Sequence, residues 1–321
     1  MLSYLGETIT AAEKEAQYDA AAKRLLSDRQ ILAWILKYTV AEYSGMQVRE
    51  IIGFIGQSQV SGFPVYPGLA GQSVWGMSQE SAVPNEGKLT YDIRFQSVIP
   101  LQRQKKNEYR IIIDVEAQKD SHPGYDLVTR GILYASRMLS DQIGRNVNLA
   151  TAEYDNLQKV YSIWICMSAS KREANTVSSY RVVHKPLHGS YEDHSRHDLL
   201  QVVMIRLPRS KHIDKTENQP NELQQMLILL FSDTDAKTKR SILQEKYGLK
   251  VTEEMNEEIN QMCNLSQIIK EDALNEGNVQ GREEKERENV LSAIEEGLPK
   301  ETILRIFKIS AEKYGKYLSM V

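Results

Sequence analysis

The chain has 321 residues, 41% of them hydrophobic and 26% charged, and its 40 basic against 43 acidic residues leave a net charge of −3. That is the composition of a soluble folded protein, with room for one large domain or two modest ones. It excludes a molecule-wide positive field, so any nucleic acid must be met by local basic clusters. No apolar run approaches the ~20 residues that span a bilayer, so no membrane partner is expected. The opening MLSYLGETIT lacks the basic start and apolar core of a secretion signal. The two cysteines, Cys166 and Cys263, lie far apart, which fits a reducing, cytoplasmic setting.

Residues 11–45 read as helix in two pieces. Ser27 followed by Gln30 resembles a capping box, which predicts a helix from there to Gly45 with Ile31, Leu32, Ile35, Leu36 and Thr39 as its buried stripe. Glu42 then falls in the final turn, where the helix dipole disfavours a carboxylate. Two readings stand for it, a solvated surface acid or an acid facing a site. Residues 56–87 form a Gly-, Pro- and Ser-rich stretch with room for a short strand near Ser73–Met77. So long a segment without secondary structure is commonly a binding loop.

The most informative stretch follows, Lys88–Gln118. It reads as two strands joined by a polar, basic turn. On the first, Thr90, Asp92, Arg94 and Gln96 share one face, and Leu89, Tyr91, Ile93 and Phe95 share the other. On the second, Asp114, Glu116 and Gln118 oppose Tyr109, Ile111, Ile113 and Val115. This period of two marks strands with one apolar side. It also groups carboxylates from neighbouring strands, and grouped carboxylates repel unless a cation lies between them.

Pro123 and Gly124 open a helix to about Ile143, with Val128, Ile132, Ala135 and Leu139 as its apolar face. Arg130, Tyr134 and Arg137 recur at helical spacing as a basic-aromatic stripe, read equally as a snorkelling surface or as a phosphate contact. VYSIWICMS (160–168) suits a strand buried on both faces. SSYRVVHK and DLLQVVMIRLP supply two more strands. Between them His184, His188, His194 and His197 lie in a loop whose spacings do not fit a tetrahedral zinc site. This order of elements implies an α/β domain, a mixed sheet flanked by helices, over residues 1–210.

From 211 to 321 the pattern is all-helical. It includes a charged connector at about 271–288, with Gly277 and Gly281 four apart, and a trihelical tail at 289–321. Such a tail suits a DNA-reading helix-turn-helix or a module for homo-oligomerisation.

Asp92 on one strand, with Asp114, Glu116, Ala117 and Gln118 on the next and a helix after them, resembles the PD-(D/E)xK nuclease core. The ordered blocks YDAAAKRLLSDRQILAWILKYTV, VPNEGKLTYDIRF, DVEAQKDSHPGYDLVTRGILYASRM and KVYSIWICMS extend the resemblance to most of the chain. They are similar to the branch of recombination-promoting nucleases and transposases. The resemblance implies a restriction-endonuclease-like mixed sheet and Mg²⁺-dependent cleavage of DNA, with Mn²⁺ as a substitute. Asp92, Glu116 and the backbone of Ala117 would hold the metal, and Asp114 would stand second to Glu116. Asp19 and Glu42 are the helix acids available to complete the site, with no choice between them. Gln118 stands where the family's usual lysine does and can donate a hydrogen bond but carries no charge. DNA would be met by Arg94, the turn residues Arg103, Lys105 and Lys106, and by Lys119, Arg130 and Arg137. The competing expectation is a DNA-binding or interaction protein with a weakened site.

Overall fold

The computed structural model describes residues 13, 16–56, 59–60, 80–83, 87–99, 109–119, 121–143, 147–148, 150–209 and 216–318. Helix α1 covers 16–26 and α2 covers Arg29–Thr39. The expected cap lies one residue later than Ser27. Asp28 accepts from the backbone N–H groups of Gln30 and Ile31, while the Ser27 hydroxyl donates back to the Arg24 carbonyl and closes α1. A carboxylate cap also meets the positive end of the helix dipole, which favours Asp28 over Ser27. The stripe of Ile31, Leu32, Ile35 and Leu36 is fully buried. Each such side chain contributes roughly 1.5–3 kcal/mol. The helix ends at Thr39 rather than Gly45, because Val40 is extended. Glu42 therefore sits in a separate 3-10 turn (Ala41–Tyr43), pinned where the Tyr43 hydroxyl bonds Ser97 Oγ and donates to the Val98 carbonyl. A short α3 (Val48–Ile51) follows.

The strands are β1 (Gln59–Val60), β2 (Glu80–Val83), β3 (Gly87–Thr90), β4 (Ile93–Ile99), β5 (Tyr109–Gln118), β6 (Lys159–Ala169), β7 (Thr176–Arg181) and β8 (Leu200–Pro208). Among the described residues the main sheet runs β1-β4-β5-β6-β8-β7, and β2 pairs with β3 in a separate two-stranded sheet. Strands β4 and β5 are antiparallel, as the hairpin reading expects, while β5, β6 and β8 run parallel. The parallel pair β5 and β6 is joined through α4 (Leu127–Ser140), which packs on β6 and β8. Helices thus cover both faces, and the sheet is mixed, as expected from a PD-(D/E)xK-like α/β fold.

Its two faces bury different sets. Ile93, Phe95, Ile111, Ile113, Val115, Tyr161 and Ile163 pack with α1 and α2. Tyr91, Ile112, Trp164, Val202 and Met204 pack with Tyr134, Ala135 and Met138 of α4. The buried face of α4 is therefore Leu127, Gly131, Tyr134, Ala135 and Met138, and Ile132 of the expected stripe is exposed. Gly131 permits the close approach. A Cβ there would lie 2.7 Å from Val202 Cγ1 and 3.0 Å from Trp164 Nε1.

The first of two compact units runs to Asn264, beyond the residue-210 boundary expected from sequence. It extends that far because α5 (Glu222–Phe231), α6 (Ala236–Glu245) and the start of α7 (Glu253–Glu295) bury Leu223, Met226, Leu227, Leu243, Met255 and Ile259 in the core that α1 and α2 share. The second unit, Leu265–Val321, has its own small core of Val290, Ala293, Ile303, Ile309, Tyr314 and Tyr317, built from the end of α7 with α8 (Lys300–Phe307) and α9 (Ala311–Leu318). Gly297, at φ +78°, makes the turn out of α7. Among the described residues no helix is long and apolar enough to cross a membrane.

Candidate active site

Asp92 stands where the chain leaves the β2–β3 sheet and enters the main one. The residues between β3 and β4 break the strand, so Tyr91 packs on the α4 side while Ile93 packs on the α1 side. The expected grouping of Tyr91 with Ile93 and Phe95 therefore does not hold, because the period-two alternation stops at the break. The break turns Asp92 toward the end of β5. Its backbone N–H donates to Glu116 Oε1 at 2.9 Å, and its own Oδ2 accepts from the Ala117 N–H at 3.0 Å. Ala117 thus enters the site through its amide.

Asp114 lies two residues before Glu116 on the same face of β5, opposite Ser162 of β6. It is fully buried, and its Oδ2 accepts from Ser162 Oγ at 3.1 Å, which in turn accepts from Trp164 Nε1 at 2.8 Å. Its other oxygen, Oδ1, is buried with no hydrogen-bond donor facing it. Burial and repulsion from Glu116 and Asp92 push the Asp114 carboxyl well above the usual range. The same causes, burial first and then Asp92, push Glu116 up to about 7, against opposing help from Asp114, the Asp92 N–H and Arg130. The geometric orphan and the raised affinity for protons have one explanation. Both follow from buried carboxylates grouped with too little positive charge among them.

Cations approach from two sides. Lys23 of α1 places Nζ 2.9 Å from Asp92 Oδ1 and 2.7 Å from Asp19 Oδ2. Burial works against its charge, yet Asp92 and Asp19 more than offset this and raise its pKa. Burial likewise pushes Asp92 up, opposed chiefly by Lys23. On the α4 side Arg130 donates to the hydroxyls of Tyr125 and Tyr134, and its guanidinium lies 5.1 Å and 5.2 Å from the Tyr134 and Trp164 ring centres. Aromatic faces hold such a cation in place without neutralising it.

Several expected residues fall elsewhere. Arg94 is fully buried, donates to Asp141 at 3.2 Å and lies over the Tyr91 ring, so it is an internal ion pair and not a DNA-facing cation. Both faces of the sheet are covered, so polar alternation did not mean exposure. Glu42 accepts from Lys159 Nζ and the Tyr161 hydroxyl at the start of β6, on the face toward α1 and α2, whereas Asp114 meets Ser162 on the face toward α4. Of the two helix acids only Asp19 is brought to the site, through Lys23. Lys119 is exposed at the end of β5 and Arg137 is half-buried on α4. Gln118 is half-buried beyond Glu116. Arg103, Lys105, Lys106 and Ser73–Met77 lie outside the described residues. The four loop histidines are exposed. Lys23 is the site residue that sequence reading missed; its signal was the helical i, i+4 spacing from Asp19.

A hard divalent ion takes oxygen ligands, and Asp92, Glu116 and the undonated Asp114 Oδ1 supply that chemistry. Among the described residues no three His, Cys, Asp or Glu side chains are already grouped as metal ligands.

Clustered carboxylates at the end of an antiparallel hairpin, backed by a parallel strand and its crossover helix, define a nuclease-like α/β protein. The family model of PD-(D/E)XK nuclease family transposases matches residues 96–295, and the chain belongs to that family. The match contains Asp114, Glu116 and Gln118; Asp92 and Lys23 precede it. No curated protein and no solved structure matches the chain.

Proposed function

We propose that this protein is a divalent-cation-dependent endonuclease that hydrolyses DNA phosphodiester bonds, in recombination or mobile-element biology. The observation that carries this reading is the convergence of Asp92, Asp114 and Glu116 from two strands, with one buried carboxylate oxygen left without a donor. Asp92 and Glu116 would hold Mg²⁺ or Mn²⁺, and Asp114 would stand behind Glu116. A cation bound there supplies acidity to a coordinated water and offsets charge on the phosphate. The chain's own part is to fix the carboxylates. The Ala117 N–H sets Asp92, the Asp92 N–H sets Glu116, and the Trp164–Ser162 relay sets Asp114. Arg130, held by two tyrosine hydroxyls, would pair with a phosphate oxygen, and the exposed Lys119 would add a second contact to the DNA backbone. In the hydrolysis the water oxygen bonds to phosphorus, the bond to the leaving sugar oxygen breaks, and that oxygen takes up a proton.

Plasmid nicking by purified protein with Mg²⁺ or Mn²⁺ tests the reading. Wild type should cut, and Asp92→Ala and Glu116→Ala should not. Equal cutting by all three would mark a contaminant and sink the assignment. The second reading, a DNA-binding protein without turnover, is favoured by the uncharged Gln118. DNA retention in a gel shift with no cutting by any of the three would select it.

A further inference from the structure

We propose that Lys23, delivered by α1 and anchored by Asp19, is the positioning cation of this nuclease centre, in the role that position 118 leaves open. The inference rests on the nuclease reading above. Four observations carry it. Gln118, next on the Asp114–Glu116 face of β5, has no charge to offer a phosphate. Lys23 reaches the same carboxylate group from another element, and its Nζ lies 2.9 Å from Asp92 Oδ1. The Ala117 N–H takes the other oxygen of Asp92, so the two donors together fix the carboxylate plane. Asp19 holds the ammonium from behind at 2.7 Å, and the Asp19 side chain is itself half-exposed, as a tether at the rim of a site rather than a core partner.

The Lys23 and Asp92 side chains are 18% and 15% exposed, so the pair is largely buried and also helps to hold α1 to the sheet. What it adds to the site is one positive charge on the Asp92 side of the carboxylates, as Arg130 supplies one on the Glu116 side. A phosphodiester entering the group is met by a cation from each flank. Because the ammonium occupies Asp92 Oδ1, it also competes with a divalent ion for that oxygen.

The competition provides a signature that a structural lysine lacks. Lys23→Gln is expected to slow plasmid nicking by roughly 100-fold, the cost of one charge-stabilising donor. It should at the same time bind Mn²⁺ severalfold more tightly in a titration without DNA. Adding Gln118→Lys to Lys23→Gln should restore part of the nicking, since the charge returns by another route. Asp19→Asn, at a half-exposed position, reads the same anchoring without disturbing packing and should also slow nicking. Nicking by Lys23→Gln and Asp19→Asn at the wild-type rate overturns the proposal. So does Mn²⁺ affinity that falls along with nicking, the mark of a collapsed site. If wild type cuts no DNA, the nuclease reading fails, and Mn²⁺ binding alone decides on Lys23. Tighter binding by Lys23→Gln then upholds its competition for Asp92, and unchanged or weaker binding overturns it.

Discussion

Two carboxylate–lysine clusters lie along the β5–β6 pair, and they differ in charge balance. In one, Lys159, 5% exposed, donates to Glu42 at 3.0 Å and to Asp198 at 2.6 Å, and the Tyr161 hydroxyl completes Glu42. Burial opposes the Lys159 charge, but its two carboxylates raise its pKa, and Lys159 in turn holds Asp198 below its ordinary value. Every oxygen named has a donor. In the other, Asp92, Asp114 and Glu116 share one direct lysine, and Asp114 Oδ1 has none. The first cluster is closed and ties the turn after α2 to the sheet. The second is short of positive charge and is therefore the one open to a cation.

The largest expected contrast is in activity. Glu116→Gln should cut nicking by at least about 100-fold, the scale of losing one charge-stabilising group. Glu42→Gln should leave the rate per folded molecule unchanged. Comparable losses from both would erase the distinction between the clusters. Stability should show the reverse. Lys159→Met strands two carboxylates and should cost about 2 kcal/mol, less than a fully buried pair because Asp198 is half-exposed, read as a lower denaturation midpoint with nicking intact.

A similar loss is expected at the seam behind the open cluster. Gly131→Ala forces α4 away from Val202 and Trp164, for about 1–3 kcal/mol. Because Trp164 and Ser162 hold Asp114, nicking should fall as well, and a variant as stable and active as wild type would show that the close contact yields freely.

The smallest effect, and the one with opposite signs at the two clusters, is on pH. Asp114 and Glu116 have raised pKa values in the fold, so between the ordinary carboxylate range and about 7 the folded protein binds more protons than the unfolded chain. Stability without metal is then lost as pH rises through that window. Asp198 is lowered, so its contribution is present above its ordinary pKa and lost as pH falls. Melting curves in chelator from about pH 5 to about pH 8 should decline in wild type, decline less in Glu116→Gln, and flatten on adding Mg²⁺. No change in slope with Glu116→Gln would remove that carboxyl as the cause.

The open cluster was largely legible in sequence, because period-two alternation places Asp114 and Glu116 on one face whatever the tertiary context. Asp92 was legible as a carboxylate on the neighbouring strand. Its turn toward Ala117 was not, because a strand break has no signature in alternation and the same break carried Tyr91 to the other face. Arg94 was misread for a related reason: its face is polar in pattern yet covered by α4 and Asp141. Glu42 could not be separated from Asp19 until the end of α2 at Thr39 was known, since one turn decides which cluster a helix acid reaches. Lys23 carries only its helical spacing from Asp19 as a local signal, and its contact with Asp92, sixty-nine residues away, has none.

The central claim is that the open cluster, and not the closed one, is a divalent-cation site. Mn²⁺ titration of the DNA-free protein tests it most directly, comparing wild type with Glu116→Gln and Glu42→Gln. Binding by wild type and Glu42→Gln, with loss in Glu116→Gln, is the predicted result. Binding that survives in Glu116→Gln, or is lost in Glu42→Gln, would contradict it.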